Sequence, residues 1–159
     1  MHARDFMTRA VVTVSPEETL GEVTRKFLER DISGAPVLNH AGKLVGVITE
    51  SDILRRLESI VEHEVGKKFL SSTTNSLGLF VVVSELHPDV AREVFRQLQN
   101  STVEEAVTPK VVFVKPEDTL EAVTMALIEN DINRVPVVED GKVVGIISRA
   151  DITRAIARH

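Results

Sequence analysis

Two short stretches of the sequence share one order of residues that suits the binding of a nucleoside. Residues 46–52 read GVITESD, and residues 145–151 read GIISRAD. A glycine lets the backbone approach a ligand closely. An aspartate at a helix start can accept hydrogen bonds from both ribose hydroxyls, as it does in dinucleotide-binding folds. The free N–H groups of the same helix end can help to hold an anion.

The two aspartates also have a purely structural interpretation. Asp52 and Asp151 each follow an aliphatic run and stand at the start of a predicted helix, where Asp is a favoured capping residue. A duplication preserves such a cap as well as it preserves a binding residue. The shared spacing therefore leaves both interpretations open.

These stretches belong to two copies of one longer repeat. Residues 11–20, VVTVSPEETL, align with residues 111–120, VVFVKPEDTL, and the match extends to the end of each stretch described above. One copy is too small to bury both faces of its sheet, whereas two copies packed together can do so. The duplication therefore predicts one domain with pseudo-two-fold symmetry.

Each copy is predicted to fold as β-α-β-β-α. In the first copy, residues 11–14 form a β-branched run that predicts a strand. Pro16 and the acidic residues after it predict a helix over residues 17–30. Residues 36–38 and 44–48, separated by a glycine-containing turn, predict a hairpin, and a last helix begins at residues 51–52. The predicted class is α+β.

The domain boundaries follow from the repeat. Residues 1–57 form the first motif, residues 103–159 the second, and residues 58–102 have no counterpart. Within this middle segment we expect a loop at residues 71–76, an additional strand at residues 79–83, and a helix that begins near His87. Its apolar stripe is expected to pack on the domain itself, with dimer or partner contact as the alternative, and comprises Val90, Val94, Phe95 and Leu98.

The composition excludes several classes of function. The 159 residues carry a formal net charge of −5, which argues against binding to nucleic acid. There is no cysteine, hence no disulfide or thiolate site, which fits a cytoplasmic protein. We find neither an apolar run of membrane-spanning length nor a signal-peptide core at the N-terminus.

The sequence gives little support to catalysis. The five histidines lack metal-ligand spacing, and none is placed to activate a serine nucleophile. No glycine-rich phosphate loop with a following lysine is present. We therefore expect no enzyme activity, no metal site and no required cofactor.

Taken together, these features resemble the cystathionine-β-synthase (CBS) domain in its tandem arrangement. The resemblance rests on residues 46–52 and 145–151, on the start of each repeat, and on four prolines, namely Pro16, Pro36, Pro116 and Pro136. It implies a Bateman module in which two CBS motifs of β-α-β-β-α form clefts for AMP, ADP, ATP or S-adenosylmethionine. Such modules sense energy state or a metabolite and regulate an enzyme or transporter, which here is expected on another chain.

The resemblance also implies which residues line each cleft. One cleft would consist of Thr49, Asp52, Asn133, Arg134, Val135 and Pro136. The other would consist of Ser148, Asp151, Ser33, Gly34, Ala35 and Pro36. The backbone that borders the adenine would come from Thr8, Val12, Thr108 and Val112.

The two clefts are not expected to be equal. Arg134 carries a guanidinium group suited to phosphate, whereas the counterpart Gly34 has no side chain. We therefore expect the Asp52 cleft to prefer a phosphorylated ligand, with Arg134 as a solvated surface residue the alternative. Arg149 and Lys110 are weaker phosphate candidates.

The leading hypothesis is thus a regulatory module that binds an adenosine-type nucleotide. The alternative is an interaction scaffold that has kept the fold and lost the ligand. The resemblance further implies a homodimer, built around the helices predicted at residues 19–30, 51–57, 119–129 and 150–157.

Overall fold

The computed structural model describes residues 1–66 and 83–158. The helices there are α1 (Ala3–Phe6), α2 (Leu20–Arg30), α3 (Glu50–Val65), α4 (Pro88–Asn100), α5 (Val103–Ala106), α6 (Leu120–Glu129) and α7 (Arg149–Ala157). The strands are β1 (Gly34–Leu38), β2 (Leu44–Thr49), β3 (Arg134–Glu139) and β4 (Lys142–Ser148). This mixture confirms the α+β class. In the described ranges no helix combines the length and apolar character that a membrane span requires.

The strands form two separate two-stranded sheets, β1 with β2 and β3 with β4. In the first, Asn39 N–H donates to Lys43 O at 2.9 Å, and Gly42 has a φ of +77°, which favours glycine. Gly141 has the same φ in the second turn, and β3 and β4 run antiparallel. Both predicted hairpins are therefore present.

The prediction of a strand at residues 11–14 is wrong, because only Val14 forms a β-bridge, which is parallel and joins it to Val37. Its N–H donates to Pro36 O at 3.0 Å, and its carbonyl accepts from Leu38 N–H at 2.9 Å. To extend this parallel ladder, the N–H groups of Pro36 and Pro16 would have to donate the next bonds, and proline has none. The two prolines thus limit the ladder to one bridge.

The second copy shows the same restriction. Val114 N–H donates to Pro136 O at 3.0 Å, and Val138 N–H donates to Val114 O at 2.8 Å. Pro116 and Pro136 stand where the next donors would be required. The equivalent prolines of the two repeats therefore shorten both first strands.

Helix α2 begins three residues later than predicted. Thr19 is its N-cap and accepts from Glu22 N–H at 3.2 Å, while Glu22 Oε2 accepts from Thr19 N–H at 2.8 Å. This reciprocal pair is a capping box, and it sets the first turn more strongly than the preceding proline does. Pro16 lies in a turn before the helix.

Contacts divide the chain into two compact units. The first unit comprises Met1–Ser15, Gly34–Val47 and Pro109–His159, and the second comprises Pro16–Ser33 and Ile48–Thr108. The buried core of the first unit consists of Ala3, Val114, Val123, Leu127, Val135, Val137, Ile147 and Ile152. A core cluster of the second unit consists of Leu57, Ile60, Val61 and Val94.

The middle segment contributes helix α4 to the second unit. As predicted, it begins near His87, which is its N-cap and whose Nδ1 accepts from Asp89 N–H at 3.3 Å. Val94 is fully buried against α3, with Val90 and Leu98 packed beside it, which confirms packing on the domain itself. Phe95 is the exception, since it is 44% exposed.

The other predictions for the middle segment concern residues that are largely not described. The loop predicted at residues 71–76 lies outside the described residues. So does the strand predicted at residues 79–83, apart from Val83, which is helical.

Candidate functional site

The start of α7 holds the second-copy aspartate in a capping box. Ser148 is the N-cap, and its hydroxyl accepts from Asp151 N–H at 3.4 Å. In return, Asp151 Oδ2 accepts from Ser148 N–H at 2.7 Å and from the Ser148 hydroxyl at 2.8 Å. Arg154, one turn further along, pairs with Asp151 Oδ1. The aspartate is 7% exposed, whereas the Arg154 side chain is 62% exposed.

The start of α3 repeats this arrangement in the first copy. Asp52 Oδ2 accepts from Thr49 N–H at 2.8 Å and from the Thr49 hydroxyl at 2.9 Å, and Arg55 pairs with Oδ1. Asp52 is 3% exposed. Both aspartates therefore do cap their helices, although the hydroxyl residue is the N-cap and the aspartate is the third helical residue. Ribose binding by the same carboxylates stays a prediction.

The pKa of Asp151 is lowered from its ordinary value of 3.8. Burial raises this pKa, but the Ser148 backbone N–H, the Ser148 hydroxyl and Arg154 together outweigh burial. The group is therefore a carboxylate at neutral pH, with hydrogen-bond acceptors only. Such a group can accept hydrogen bonds from two neighbouring hydroxyls, provided that Oδ1 is not occupied by the arginine.

Two arginines of this arrangement were missed by sequence reasoning. Arg55 and Arg154 each lie three residues after the aspartate of their copy, a spacing that places side chains together on a helix. That spacing was the signal that could have found them.

Two residues from distant parts of the chain, both in the first unit, are in contact near the strand that ends at Ser148. Arg134 stands opposite Ser148 in the pairing of β3 with β4. A Cβ built on Gly34 would lie 2.8 Å from Cδ, Nε and Nη1 of Arg134. Gly34 and Arg134 were assigned to different clefts in the sequence prediction, yet they are in contact.

The other hairpin residues of the prediction are largely buried. Ala35 and Val135 are fully buried, and Pro36 and Pro136 are buried beside them. These four residues could therefore contact a ligand mainly through their backbone.

The residue before each hairpin accepts a hydrogen bond from the first residue of the last helix in its own copy. Ser33 O accepts from Glu50 N–H at 3.1 Å, and Asn133 O accepts from Arg149 N–H at 3.0 Å. Arg149 also donates from Nε to Ile132 O at 3.3 Å and lies 3.8 Å from Asp131.

The predicted adenine-bordering residues have different surroundings. Thr8 is exposed, but its N–H and carbonyl are both paired with Ile146, at 2.9 and 3.0 Å. Val112 packs partly buried on the core of the first unit, whereas Thr108 is exposed in the second unit. Val12 is half-buried. Adenine contact by these residues stays a prediction.

The predicted cleft of Thr49 and Asp52 with residues 133–136 draws on both units. That pairing also stays a prediction. The residues that the structure brings together within one unit are Gly34, Arg134, Ser148, Asp151 and Arg154.

The glycine before the second-copy box has a packing role. A Cβ on Gly145 would meet the Met7 side chain, with Cγ at 2.8 Å and Sδ closer still. From the sequence, this glycine was expected to allow a ligand to approach the backbone closely. At Gly145 the neighbour that occupies the space is Met7.

Comparison with known families and proteins finds matches along nearly the whole chain. The CBS domain model matches residues 3–59 and 103–158. An uncharacterised protein of Methanocaldococcus jannaschii is 34% identical over 157 residues, covering 98% of this chain and 91% of that protein. The chloroplastic CBS domain-containing protein CBSX1 of Arabidopsis thaliana is 30% identical, and the match covers 95% of this chain and 62% of that protein.

Solved structures with the same fold were also found. The CBS domain of a CBS domain-containing membrane protein from Sphaerobacter thermophilus has a TM-score of 0.70 at 32% identity, covering 97% of this chain and 86% of that one. CBSX2 of Arabidopsis thaliana in complex with AMP has a TM-score of 0.68 at 22% identity, with 99% and 96% coverage. The domain pair of the protein MJ0100 in complex with 5′-methylthioadenosine and S-adenosyl-L-methionine has a TM-score of 0.67 at 21% identity, with 99% and 97% coverage.

Proposed function

Because this chain belongs to the CBS domain family, we propose that it binds an adenosine-type nucleotide and transmits the binding state to a partner protein. The observation that carries the proposal is the Asp151 carboxylate, which is buried and anionic at a helix start. Ser148 holds one of its oxygens, while an exposed arginine covers the other.

The covering arginine can be exchanged for a ligand. The Arg154 side chain is 62% exposed, so water can solvate its guanidinium if a ligand displaces it from Asp151. Two ribose hydroxyls would then donate to Asp151, and Ser148 would keep the carboxylate in position. Asp52, Thr49 and Arg55 offer the same exchange in the first copy.

The known ligands of proteins with this fold support the choice of an adenosyl group. CBSX2 was solved with AMP, and the MJ0100 domain pair was solved with 5′-methylthioadenosine and S-adenosyl-L-methionine. These ligands share the adenosine moiety and differ at the 5′ position. The shared moiety matches the two equivalent aspartates, whereas the 5′ group is the part that could distinguish one ligand from another.

We also propose that the chain forms a homodimer through its helices. In the second unit, Leu28 is 85% exposed and lies with Phe27, Ile53 and Leu54 in a groove of about 520 Å³ between α2 and α3. On α6 and α7, Met125, Ile128 and Ile156 are exposed as well. Exposed apolar groups on the predicted dimer helices favour self-association, which sedimentation equilibrium would measure.

A thermal-shift screen tests the nucleotide proposal. A ligand that binds only the folded state raises the unfolding midpoint, so AMP, ADP, ATP or S-adenosylmethionine is expected to raise it in a concentration-dependent way. If none of them does so, the alternative is favoured, in which the protein is an interaction scaffold without ligand.

A further inference from the structure

We infer, on the basis of the homodimer proposed above, that the groove between α2 and α3 receives the start of α7 from a second copy of this chain. The two repeats then pair crosswise, the first repeat of one copy against the second repeat of the other. The alternative is a dimer in which each face meets its own equivalent on the second copy.

The groove belongs entirely to the second unit and is mainly apolar. Leu28, Ile53 and Leu54 line it, and Leu28 and Leu54 are exposed. Two exposed carboxylates line it as well, Asp31 at the end of α2 and Glu50 at the start of α3. Among the residues that the structure describes, neither carboxylate has an ion-pair partner. The groove is therefore suited to a cation that has apolar neighbours.

The repeat places a matching face on the first unit, built from α6 and α7. Ile128 is the equivalent of Leu28 and is 64% exposed, and Met125 is exposed one turn earlier on the same helix. Arg149 is the equivalent of Glu50. The two faces thus share exposed apolar residues and carry opposite charges at the start of their last helix.

The Arg149 guanidinium lies where α6 ends and α7 begins. Its Nε donates to Ile132 O at 3.3 Å, and its Nη2 lies 3.8 Å from Asp131 Oδ1, which is too far for a hydrogen bond. The side chain is 57% exposed. Its Nη N–H groups can therefore donate to carboxylates of a second copy while Nε keeps the contact that positions the guanidinium.

The signs of these charges favour the crosswise arrangement. If each face met its own equivalent, Asp31 and Glu50 would lie against the same two carboxylates of the second copy, and like charges across an interface are unfavourable. In the crosswise arrangement the two carboxylates face an arginine instead. A closed dimer contains this contact twice, because each chain supplies both faces.

Charge reversal tests the arrangement, with the dimer dissociation constant measured by sedimentation equilibrium. Glu50→Arg and Arg149→Glu are each expected to raise this constant about tenfold or more, because each places like charges together. The protein with both substitutions exchanges the two charges and should regain most of the wild-type affinity. The matched controls are Glu139→Arg and Lys142→Glu, at exposed paired positions of the second hairpin, and they should leave the constant unchanged. Unfolding midpoints show whether each variant retains the fold.

Introduced cysteines report the arrangement directly, because the sequence has none of its own. Leu28→Cys and Ile128→Cys are treated with a short bismaleimide, each alone and as a mixture after subunit exchange. Crosslinked dimers are expected in the mixture, between the two different variants, and not from either variant alone.

Several results would overturn the crosswise arrangement. Crosslinking of Leu28→Cys to itself, or a lower dissociation constant for Glu50→Arg, would show that equivalent faces meet. Failure of the double reversal to restore affinity, or a dimer without crosslinks in any sample, would show that these two faces are not in contact. In all these cases the homodimer itself would stand, whereas wild-type protein that stays monomeric at every concentration would contradict the homodimer as well.

Discussion

The starts of α3 and α7 are almost identical in their hydrogen bonds but differ in what surrounds them. The two distances from the aspartate Oδ2 to the N-cap residue are 2.8 and 2.9 Å in the first copy, and 2.7 and 2.8 Å in the second. Each carboxylate is also paired with an arginine three residues later. The duplication has preserved the carboxylate and its supports while other features diverged.

Two differences separate the copies. Helix α3 has 16 residues and carries α4 on its second half, whereas α7 has 9. The first strand of the hairpin begins with Gly34 in one copy and with Arg134 in the other. If both copies bind ribose as proposed, these differences would allow them to bind related ligands with different 5′ groups.

The largest expected effect tests what the two copies share. The double variant Asp52→Ala with Asp151→Ala should raise the Kd for adenosine by about 100-fold, because several hydrogen bonds to a charged acceptor are lost. Calorimetric titration of the double variant measures this change in Kd. The single variants show how much each copy contributes to adenosine binding.

The control is Glu22→Ala, which removes the capping-box carboxylate of α2, outside both predicted clefts. It should keep the affinity of the wild type. If it lowers the affinity as much as the aspartate variants do, the aspartates act through helix stability and not through contact with ribose.

The next prediction concerns the packing of helix α4 on α3 in the first copy. Val94 of α4 is fully buried against α3. Val94→Ala should therefore lower the free energy of unfolding by about 2 kcal/mol, through lost burial and a residual cavity. Phe95→Ala, at the neighbouring position, removes a larger but partly exposed side chain and should cost less. Urea denaturation compares the two, and an equal or larger cost for Phe95→Ala would mean that α4 docks differently.

Much of the fold could be predicted because its signals are local. The hairpin turns follow from Gly42 and Gly141, and the start of α4 follows from residues 87–89. The first strand could not be predicted from its β-branched run, because its length depends on which N–H groups are available across the ladder. Pro36, 22 positions along the chain from Val14, provides no such donor.

The site was predictable in part for the same reason. The spacing of Ser148 and Asp151 is local, and so is that of Asp151 and Arg154, although only the first was used. The contact between Gly34 and Arg134 depends on how two hairpins from distant parts of the chain meet. No local pattern contains that information, and the same holds for Met7 beside Gly145.

A smaller effect is expected from a substitution at Gly145, which packs against Met7. Gly145→Ala places a methyl group against the Met7 side chain and should lower the free energy of unfolding by about 1 kcal/mol through overpacking. The same substitution made in a Met7→Ala background should cost less, because the obstructing atoms are gone. Equal costs in both backgrounds would show that Met7 is not the obstacle.

The smallest effect concerns pH. The pKa of Asp151 is lower in the folded protein than its ordinary value of 3.8, so the ionised group stabilises the fold above that value. This contribution is lost as the pH falls through the folded-state pKa. Asp151→Asn should therefore weaken the dependence of the unfolding free energy on pH below 3.8. Parallel curves for Asp151→Asn and the wild type would contradict a lowered pKa.

The most direct measurement is a crystal structure of the protein grown with AMP. The account predicts ribose hydroxyls within hydrogen-bonding distance of Asp151, with Arg154 displaced from the carboxylate. AMP bound elsewhere, with the Asp151–Arg154 pairs intact, would contradict it.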